Sequence, residues 1–175
     1  RVDRTFAFVD LSGFTAYTDS EGDAEATHVL AGFRAAVREL AAARAVRIAK
    51  WLGDGAMLVA VETEPAVEAV IDIERRIDES RSPLALRAGI AAGPVILFEG
   101  DDYIGQPVNL ASRLCDMAQP HEVLAPATIM SSLLLNTRAV PIGARRVSGF
   151  AQPIELVRLV AADGREPVFH GAEAY

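Results

Sequence analysis

Residues 46–61, VRIAKWLGDGAMLVAV, contain two strand-like runs that flank the turn Gly53-Asp54-Gly55. The runs are Val46 to Leu52 and Ala56 to Val61, both rich in apolar and β-branched residues. Glycine accepts the positive φ angles of a tight turn, so the pattern predicts an antiparallel β-hairpin whose turn presents the carboxylate of Asp54.

Strand and helix patterns continue on both sides of the hairpin. The predicted elements are, in chain order, a strand Thr5–Leu11, a helix Asp23–Arg44, the hairpin, a helix from Pro65 to before Ser82, strands Leu84–Ala92 and Val95–Phe98, a helix from Pro107, a strand Glu122–Ala125, a short helix Ala127–Leu135, and strands Arg146–Phe150 and Ile154–Val160. In the first helix, Arg34, Arg38 and Glu39 are expected to point outward. The order predicts a ferredoxin-like βαββαβ sandwich with additional C-terminal strands and a helix.

Composition limits the possible partners. The 175 residues include 17 basic and 24 acidic side chains, a formal net charge of −7, and the sequence pI is about 5.0. Nucleic acids and anionic lipid surfaces need a basic face, so neither a nucleic-acid partner nor membrane contact by this domain is expected. Cys115 is the only cysteine, which excludes an intrachain disulfide. The sequence contains no P-loop, GxGxxG, GxSxG or HExxH motif.

Two carboxylates stand at the ends of predicted strands. Asp10 ends the first strand, directly before the turn-forming residues 11–15, LSGFT. A carboxylate there can bind Mg²⁺, and free backbone N–H groups of the turn can receive phosphate oxygens. The alternative is that Asp10 only ends the strand and caps a helix, and that Asp54 serves only the hairpin turn. Convergence of the two would favour a site for a hard divalent metal.

Polar residues at two other places are candidates for ligand contacts. Asn109 and Arg113 are four residues apart on one predicted helix and share a face that differs from its apolar stripe. Lys50 lies in a predicted strand, and Asp102 lies in the acidic turn after Phe98. Taken singly, each of the four is more typical of a solvated surface position than of a binding site.

Three segments together resemble a known family. FVDLSGFT at 8–15, KWLGDG at 50–55 and DYIGQPVNLASRL at 102–114 are similar, in order and spacing, to the catalytic domain of class III nucleotidyl cyclases. The resemblance extends over about residues 5–160, so residues 1–160 are assigned to the catalytic domain and 161–175 to a C-terminal tail. The short stretch before Asp102 resembles the compact cyclases of actinobacteria and mycobacteria.

The resemblance implies a head-to-tail homodimer in which both subunits contribute to each active site. It implies two Mg²⁺ or Mn²⁺ ions, a base-reading pair, a ribose contact and a group that stabilises the transferring phosphoryl group. The matching residues are Asp10, Asp54 and the Leu11 carbonyl for the metals, Gly13, Phe14 and Thr15 for substrate phosphates, Lys50 and Asp102 for the purine, Asn109 for the ribose, and Arg113 for the phosphoryl group.

The implied activity is that of a cytoplasmic adenylate cyclase, which converts ATP to 3′,5′-cyclic AMP and pyrophosphate. Adenine offers an acceptor at N1 and a donor at N6, which suit Lys50 and Asp102, whereas guanine reverses both. One residue departs from the family. Where a lysine usually contacts the triphosphate, this chain has Ser148, so either Arg145 or Arg146 substitutes or nucleotide affinity is lower.

Three other functions remain as alternatives. A catalytically weak cyclase-homology domain could serve as a regulatory partner. An RNA-recognition module shares the topology, and FAFVDLSGF resembles its first aromatic signature, but the second aromatic strand is missing and the chain is acidic. A diguanylate cyclase also shares the topology, but residues 53–56, GDGA, do not match its GG[DE]EF turn.

Overall fold

A computed structural model describes residues 1–100, 102–131 and 134–163 of the chain. These residues form one mixed sheet with helices on both faces. The elements are β1 (Val2–Leu11), α1 (Phe14–Glu21), α2 (Asp23–Ala43), β2 (Arg47–Leu52), β3 (Gly55–Ala60), α3 (Thr63–Glu79), β4 (Leu86–Phe98), β5 (Asp102–Ile104), α4 (Gln106–Met117), β6 (Val123–Pro126), β7 (Thr137–Arg145) and β8 (Ile154–Ala161). The predicted tail lies outside the described residues from position 164 onward.

The sheet confirms the predicted fold class. Its strand order is β2-β3-β1-β4-β6-β8-β7, with β5 paired to the far end of β4. The first four strands, with α2 and α3, form the ferredoxin-like βαββαβ core, and the predicted hairpin is its β2-β3 pair. In β1, Asp10 pairs with Gly55 of β3 on one side and with Arg87 of β4 on the other. The register therefore places three chain segments around one carboxylate.

Alternation along β1 divides the core into two layers. Ala7, Val9 and Leu11 pack with the buried side chains of α2 and α3. Phe6 and Phe8 belong to a second cluster on the opposite face, together with Ala111 of α4. Because side chains alternate along a strand, Asp10 projects on the same face as Phe6 and Phe8, which is the face that α4 covers.

A glycine sets the distance between α4 and the sheet. A Cβ atom on Gly89 of β4 would collide with the backbone of Ala111 and of Cys115 in α4. Burial raises the pKa of the Cys115 thiol far above its ordinary value, so this side chain packs as a neutral apolar group. The tight contact fixes where α4, and every side chain it carries, lies on the sheet.

Three of the predicted elements differ from those in the structure. Residues 146–150, predicted as a strand, lie in the loop after β7, and the strand itself spans Thr137–Arg145. The strands predicted on either side of Gly93-Pro94 are one strand, β4. The helix predicted at Ala127–Leu135 is a 3-10 turn over Ala127–Ser131 in the described residues.

Two residues explain why strand β7 was not predicted. Pro141 and Gly143 interrupt the strand pattern of β7, and both occur at a register shift between β7 and β8. β7 is the last strand in the sheet, and an edge strand tolerates a proline that a central strand would exclude.

The far end of β4 and strand β5 carry exposed apolar side chains. Ile96, Phe98 and Ile104 are 51%, 49% and 53% exposed, although each is large and apolar.

Among the described residues, no helix combines the length and the apolar character that crossing a bilayer requires.

Candidate active site

The carboxylates of Asp10 and Asp54 are brought together by backbone packing. Gly55 lies so close to β1 that a Cβ atom on it would be 2.6 Å from the Val9 carbonyl oxygen and 2.8 Å from the Asp10 Cβ. The Leu11 N–H donates to the Asp54 carbonyl oxygen at 3.2 Å. Only glycine permits this approach, so the second glycine of the turn is what places Asp54 beside the end of β1.

Arg87 forms a two-point ion pair with Asp10. Its Nε donates to Oδ1 at 2.7 Å and its Nη2 donates to Oδ2 at 3.2 Å, while Nη1 donates to the Asp116 carbonyl oxygen of α4. Burial raises the pKa of Asp10 above its ordinary value and the charge of Asp54 raises it further, whereas Arg87 acts in the opposite direction. Burial and the charge of Asp54 therefore both disfavour the negatively charged form of Asp10, and a nearby cation favours it.

Sequence reasoning missed Arg87. It lies in the middle of an ordinary strand pattern and is 77 residues from Asp10. The available signal was a charged side chain within an otherwise apolar run, Leu84 to Ile90, which is unusual for a strand covered on both faces.

The turn after β1 has the backbone that the sequence predicted. Gly13 has a φ of 75°, in the left-handed region that favours glycine, and it precedes α1, which begins at Phe14. The Ser12 N–H donates to the Ala85 carbonyl oxygen at 2.8 Å. Thr15 is exposed in the first turn of α1, where N–H groups lack helical acceptors.

The outward orientation predicted for Arg34 was wrong. Its Nη2 donates to the Gly53 carbonyl oxygen at 3.1 Å. Its guanidinium lies 4.9 Å from the centre of the Trp51 ring, and that of Arg38 lies 5.1 Å from the same ring. Glu39, also predicted to point outward, is exposed and pairs with Arg76 of α3. Helix α2 thus contacts the turn that carries Asp54.

Asn109 and Arg113 line a second location. A pocket of about 320 Å³ is bounded by Asn109 and Arg113 of α4 and by the Ser148-Gly149 segment after β7, together with Gln106 and Phe150. Ser148 therefore lies in the same pocket as the two predicted ligand-contacting residues. Arg145 ends β7, and Arg146 is exposed beyond it; neither borders this pocket.

The structure does not join Lys50 to Asp102. Lys50 pairs with Met57 across the β2-β3 hairpin, so it shares the α4 face of the sheet with Met57 and Phe6. Asp102 is exposed at the start of β5. These two side chains form no ion pair within 4.0 Å of each other in the described structure. Strands β2 and β5 are linked instead through Arg47, whose Nη2 donates to the Tyr103 hydroxyl at 2.8 Å.

The predicted residues therefore fall into separate groups. Asp10 and Asp54 meet at one end of β1, and Asn109 and Arg113 share the α4 pocket. For the residues that the structure describes, no hydrogen bond or ion pair joins one group to the other.

The acidic end has a donor set that suits a hard divalent cation. Within the described ranges, no cluster of three or more His, Cys, Asp and Glu side chains could hold a metal by itself. Asp10 and Asp54 supply carboxylate oxygens, and Mg²⁺ typically takes one or two carboxylates and completes its coordination with substrate phosphates and water. The residues present fit such an ion together with a polyphosphate substrate.

No family model matches the chain. Relatives are found both by sequence similarity to known proteins and by structural similarity to solved structures. An uncharacterised protein of Mycobacterium tuberculosis is 37% identical over 147 residues, which cover 84% of this chain and 38% of that protein. An adenylate cyclase of Streptomyces griseus is 32% identical over 160 residues, covering 91% of this chain and 40% of that protein. The chain thus corresponds to about two fifths of these relatives' lengths.

The fold has solved counterparts. The adenylyl cyclase CyaB of P. aeruginosa superposes with a TM-score of 0.77 at 25% identity, covering 95% of this chain and 96% of that one. By sequence similarity and by fold, the chain belongs to the class III nucleotidyl cyclase catalytic domains.

Proposed function

We propose that the chain is an adenylate cyclase that converts ATP to 3′,5′-cyclic AMP and pyrophosphate in a site shared by two copies. The observation that supports this most is the separation of the acidic pair, Asp10 and Asp54, from the α4 pocket with Asn109 and Arg113. Each group holds half of what phosphoryl transfer needs, carboxylates that can bind divalent cations in one and a guanidinium in the other.

A head-to-tail homodimer would bring the two halves together. Two-fold symmetry places the acidic end of one copy against the α4 pocket of the other, and it does so twice. The exposed apolar surface formed by Ile96, Phe98 and Ile104 supports such a contact, since contiguous apolar patches commonly mark protein interfaces.

Asp10, Asp54 and the Leu11 carbonyl are the proposed metal ligands. When bound there, two Mg²⁺ or Mn²⁺ ions supply the charge that favours deprotonation of the ribose 3′-hydroxyl and stabilises the leaving pyrophosphate. Arg87 holds the Asp10 carboxylate in a fixed position through their ion pair. The N–H groups at Gly13, Phe14 and Thr15 are proposed to receive phosphate oxygens.

The α4 pocket supplies the remaining groups. Asn109 is proposed to orient the ribose so that its 3′-oxygen lies in line with the α-phosphorus. That oxygen forms the new bond, the bond from the α-phosphorus to the β-phosphate oxygen breaks, and the hydroxyl proton passes to solvent. Arg113 is placed to stabilise charge on the α-phosphoryl oxygens, and its planar guanidinium can donate two parallel hydrogen bonds.

Lys50 and Asp102 are proposed to select adenine. Lys50 donates to adenine N1 and Asp102 accepts from the N6 amino group, whereas guanine would leave both charges without partners. The relative from Streptomyces griseus is named an adenylate cyclase, which supports the same substrate. A cytoplasmic location is proposed for the domain, either alone or as part of a larger or membrane-attached protein, since ATP is its proposed substrate.

A second candidate function rests on Ser148. Because a neutral serine borders the pocket that holds Arg113, the site has less positive charge for a triphosphate there. The domain would then be a weak cyclase whose main role is to regulate a partner.

Formation of cyclic AMP from Mn²⁺ and ATP separates these functions. We expect turnover by the unchanged chain, and loss of turnover in both Asp10→Ala and Asp54→Ala. Asp19→Ala is the matched control, because Asp19 is an exposed acid on the neighbouring helix α1. If the unchanged chain makes no cyclic AMP above the level of Asp10→Ala, the enzymatic function is wrong and the regulatory one is favoured.

A further inference from the structure

We propose that Arg34 is a positioning residue that fixes the turn 53–55, so that the Asp54 carboxylate is held in place for a divalent cation. The inference rests on the proposed function, since it concerns the metal ligands of that site. Arg34 lies on α2, a helix that supplies none of the residues predicted to bind metal or nucleotide.

Arg34 is itself held firmly. Its neighbours Phe33 and Val37 are buried in the core against the sheet, so α2 is a rigid support for the side chain. The guanidinium stacks 4.9 Å from the Trp51 ring centre and donates from Nη2 to the Gly53 carbonyl oxygen at 3.1 Å. Its Nε atom is buried and has no hydrogen-bond acceptor. The orientation of the Arg34 guanidinium therefore depends on the Trp51 ring and on the Gly53 carbonyl.

The turn has an anchor on each side of Asp54. On the later side, Gly55 packs against Asp10, and the Asp54 carbonyl oxygen accepts from the Leu11 N–H. On the earlier side, Gly53 is exposed, with a φ of 62°, and Arg34 donates to its carbonyl. Loss of this donor would leave the exposed half of the turn held by backbone pairing alone.

The charge of Arg34 stays away from the Asp54 carboxylate. In the described residues, Arg34 forms no ion pair within 4.0 Å of Asp54, and its hydrogen bond goes to a neutral carbonyl. Asp54 thereby keeps its oxygens available for a cation. This differs from Asp10, which is neutralised directly by Arg87.

Arg38 provides a matched control within the same helix. It lies one turn after Arg34, and its guanidinium is 5.1 Å from the centre of the same Trp51 ring. Across the residues described, it makes no hydrogen bond to the turn. Arg34→Met and Arg38→Met each remove one cation from the ring, but only the first removes the donor to Gly53.

Trp51 allows the test to be made without turnover. It is the only tryptophan of the chain and lies three residues before Asp54. Paramagnetic Mn²⁺ bound at Asp54 should quench its fluorescence. The probe is Mn²⁺ titrated in the presence of ATP that lacks the ribose 3′-hydroxyl, which cannot cyclise. Asp54→Asn should abolish the saturable part of the quenching.

We expect Arg34→Met to raise the Mn²⁺ concentration for half-maximal quenching by about tenfold, the usual loss when a residue that orients a metal ligand is removed. Arg38→Met should stay within about twofold of the unchanged chain, since it leaves the ligand's support intact. Arg34→Lys, which keeps a donor, should recover part of the loss. Thermal unfolding of each variant checks that the fold is retained.

Three results would overturn the inference: an Arg34→Met midpoint equal to that of the unchanged chain, equal shifts in both methionine variants, or no saturable quenching in the unchanged chain. All three results are read from Trp51 fluorescence and do not depend on whether the chain forms cyclic AMP. A chain that makes cyclic AMP yet shows equal midpoints refutes the role of Arg34 alone, and an inactive chain with the expected shift refutes the proposed function alone.

Discussion

The acidic end of the sheet and the pocket on α4 differ in how their charges are compensated. At the acidic end, Asp10 has a two-point ion pair with Arg87, and Gly55 fixes the backbone beside it. In the pocket, Arg113 has no ion pair within 4.0 Å among the described residues, and its neighbours are the neutral Asn109 and Ser148. The charge of Asp10 is thus compensated within the chain, whereas Arg113 is exposed and has no counterion among the described residues.

The difference indicates which kind of ligand each region can bind. A carboxylate held by its own arginine can exchange that partner for a metal, while a guanidinium in an open, neutral pocket is available to an anionic ligand. Under the proposed function, a second copy of the chain brings the two regions onto a single ATP.

The largest expected effect comes from the pocket. Arg113→Ala should lower kcat by about 10³-fold or more, as loss of an arginine on the transferring phosphoryl group typically does. Arg113→Lys keeps the charge but not the planar fork and should retain part of the activity. Steady-state cyclic AMP formation measures both. A loss below about tenfold in Arg113→Ala would assign this pocket a role outside the chemical step.

The next effect concerns Lys50 and Asp102, which belong to neither region. Replacing them together with residues of opposite hydrogen-bond sense, Lys50→Glu with Asp102→Asn, should lower kcat/KM for ATP by about 100-fold, since the proposed donor to adenine N1 would become an acceptor. The same variant should discriminate less against GTP. Unchanged ATP kinetics would remove both residues from base recognition.

A gain is expected from Ser148. Ser148→Lys places a cation beside Arg113 and should lower the KM for ATP by about tenfold, with a smaller change in kcat, because a charged contact to a bound triphosphate is added. Ser148→Met introduces a side chain of similar length to lysine but without a charge, so it should not lower the KM for ATP. An equal effect of both variants would mean that pocket shape, not charge, limits binding.

The smallest effect is on stability and tests the acidic end alone. Burial raises the pKa of Asp10 in the folded protein, so the folded chain retains this proton more readily than the unfolded chain. The stability from Asp10 is therefore full below its unfolded pKa and is lost as pH rises through its folded pKa. Urea unfolding without metal should show the unchanged chain losing stability relative to Asp10→Asn as pH rises. A constant difference, or the opposite trend, would contradict the assigned burial.

Much of the fold was predictable because its signals are local. The alternation of strand and helix patterns predicted the βαββαβ core, and the paired glycines predicted its β2-β3 hairpin. β7 was misplaced because Pro141 and Gly143 break the strand pattern, and only its position at the sheet edge makes them acceptable. Helix α1, Phe14–Glu21, was not predicted, because it buries only Tyr17 and so lacks an apolar stripe.

The candidate site was predictable where one motif carries the side chain. Asp10, Asp54, Asn109 and Arg113 were all predicted in this way, and the structure places Asn109 and Arg113 at one pocket and the turn that carries Asp54 against Asp10. Arg87 and Arg34 were not, because each acts across the fold, on Asp10 and on the Gly53 carbonyl respectively. Such partners depend on strand register and on helix placement, which a single sequence does not specify.

Mixing two inactive variants tests the shared site most directly. Asp10→Ala and Arg113→Ala should each be inactive alone, but a dimer of one with the other contains one complete site. Equal mixing and free exchange should restore about a quarter of the unchanged activity, since half of the dimers are mixed and each has one of two sites. Mixed dimers verified by differential tags that remain inactive would contradict the account and place both groups in a site within one chain.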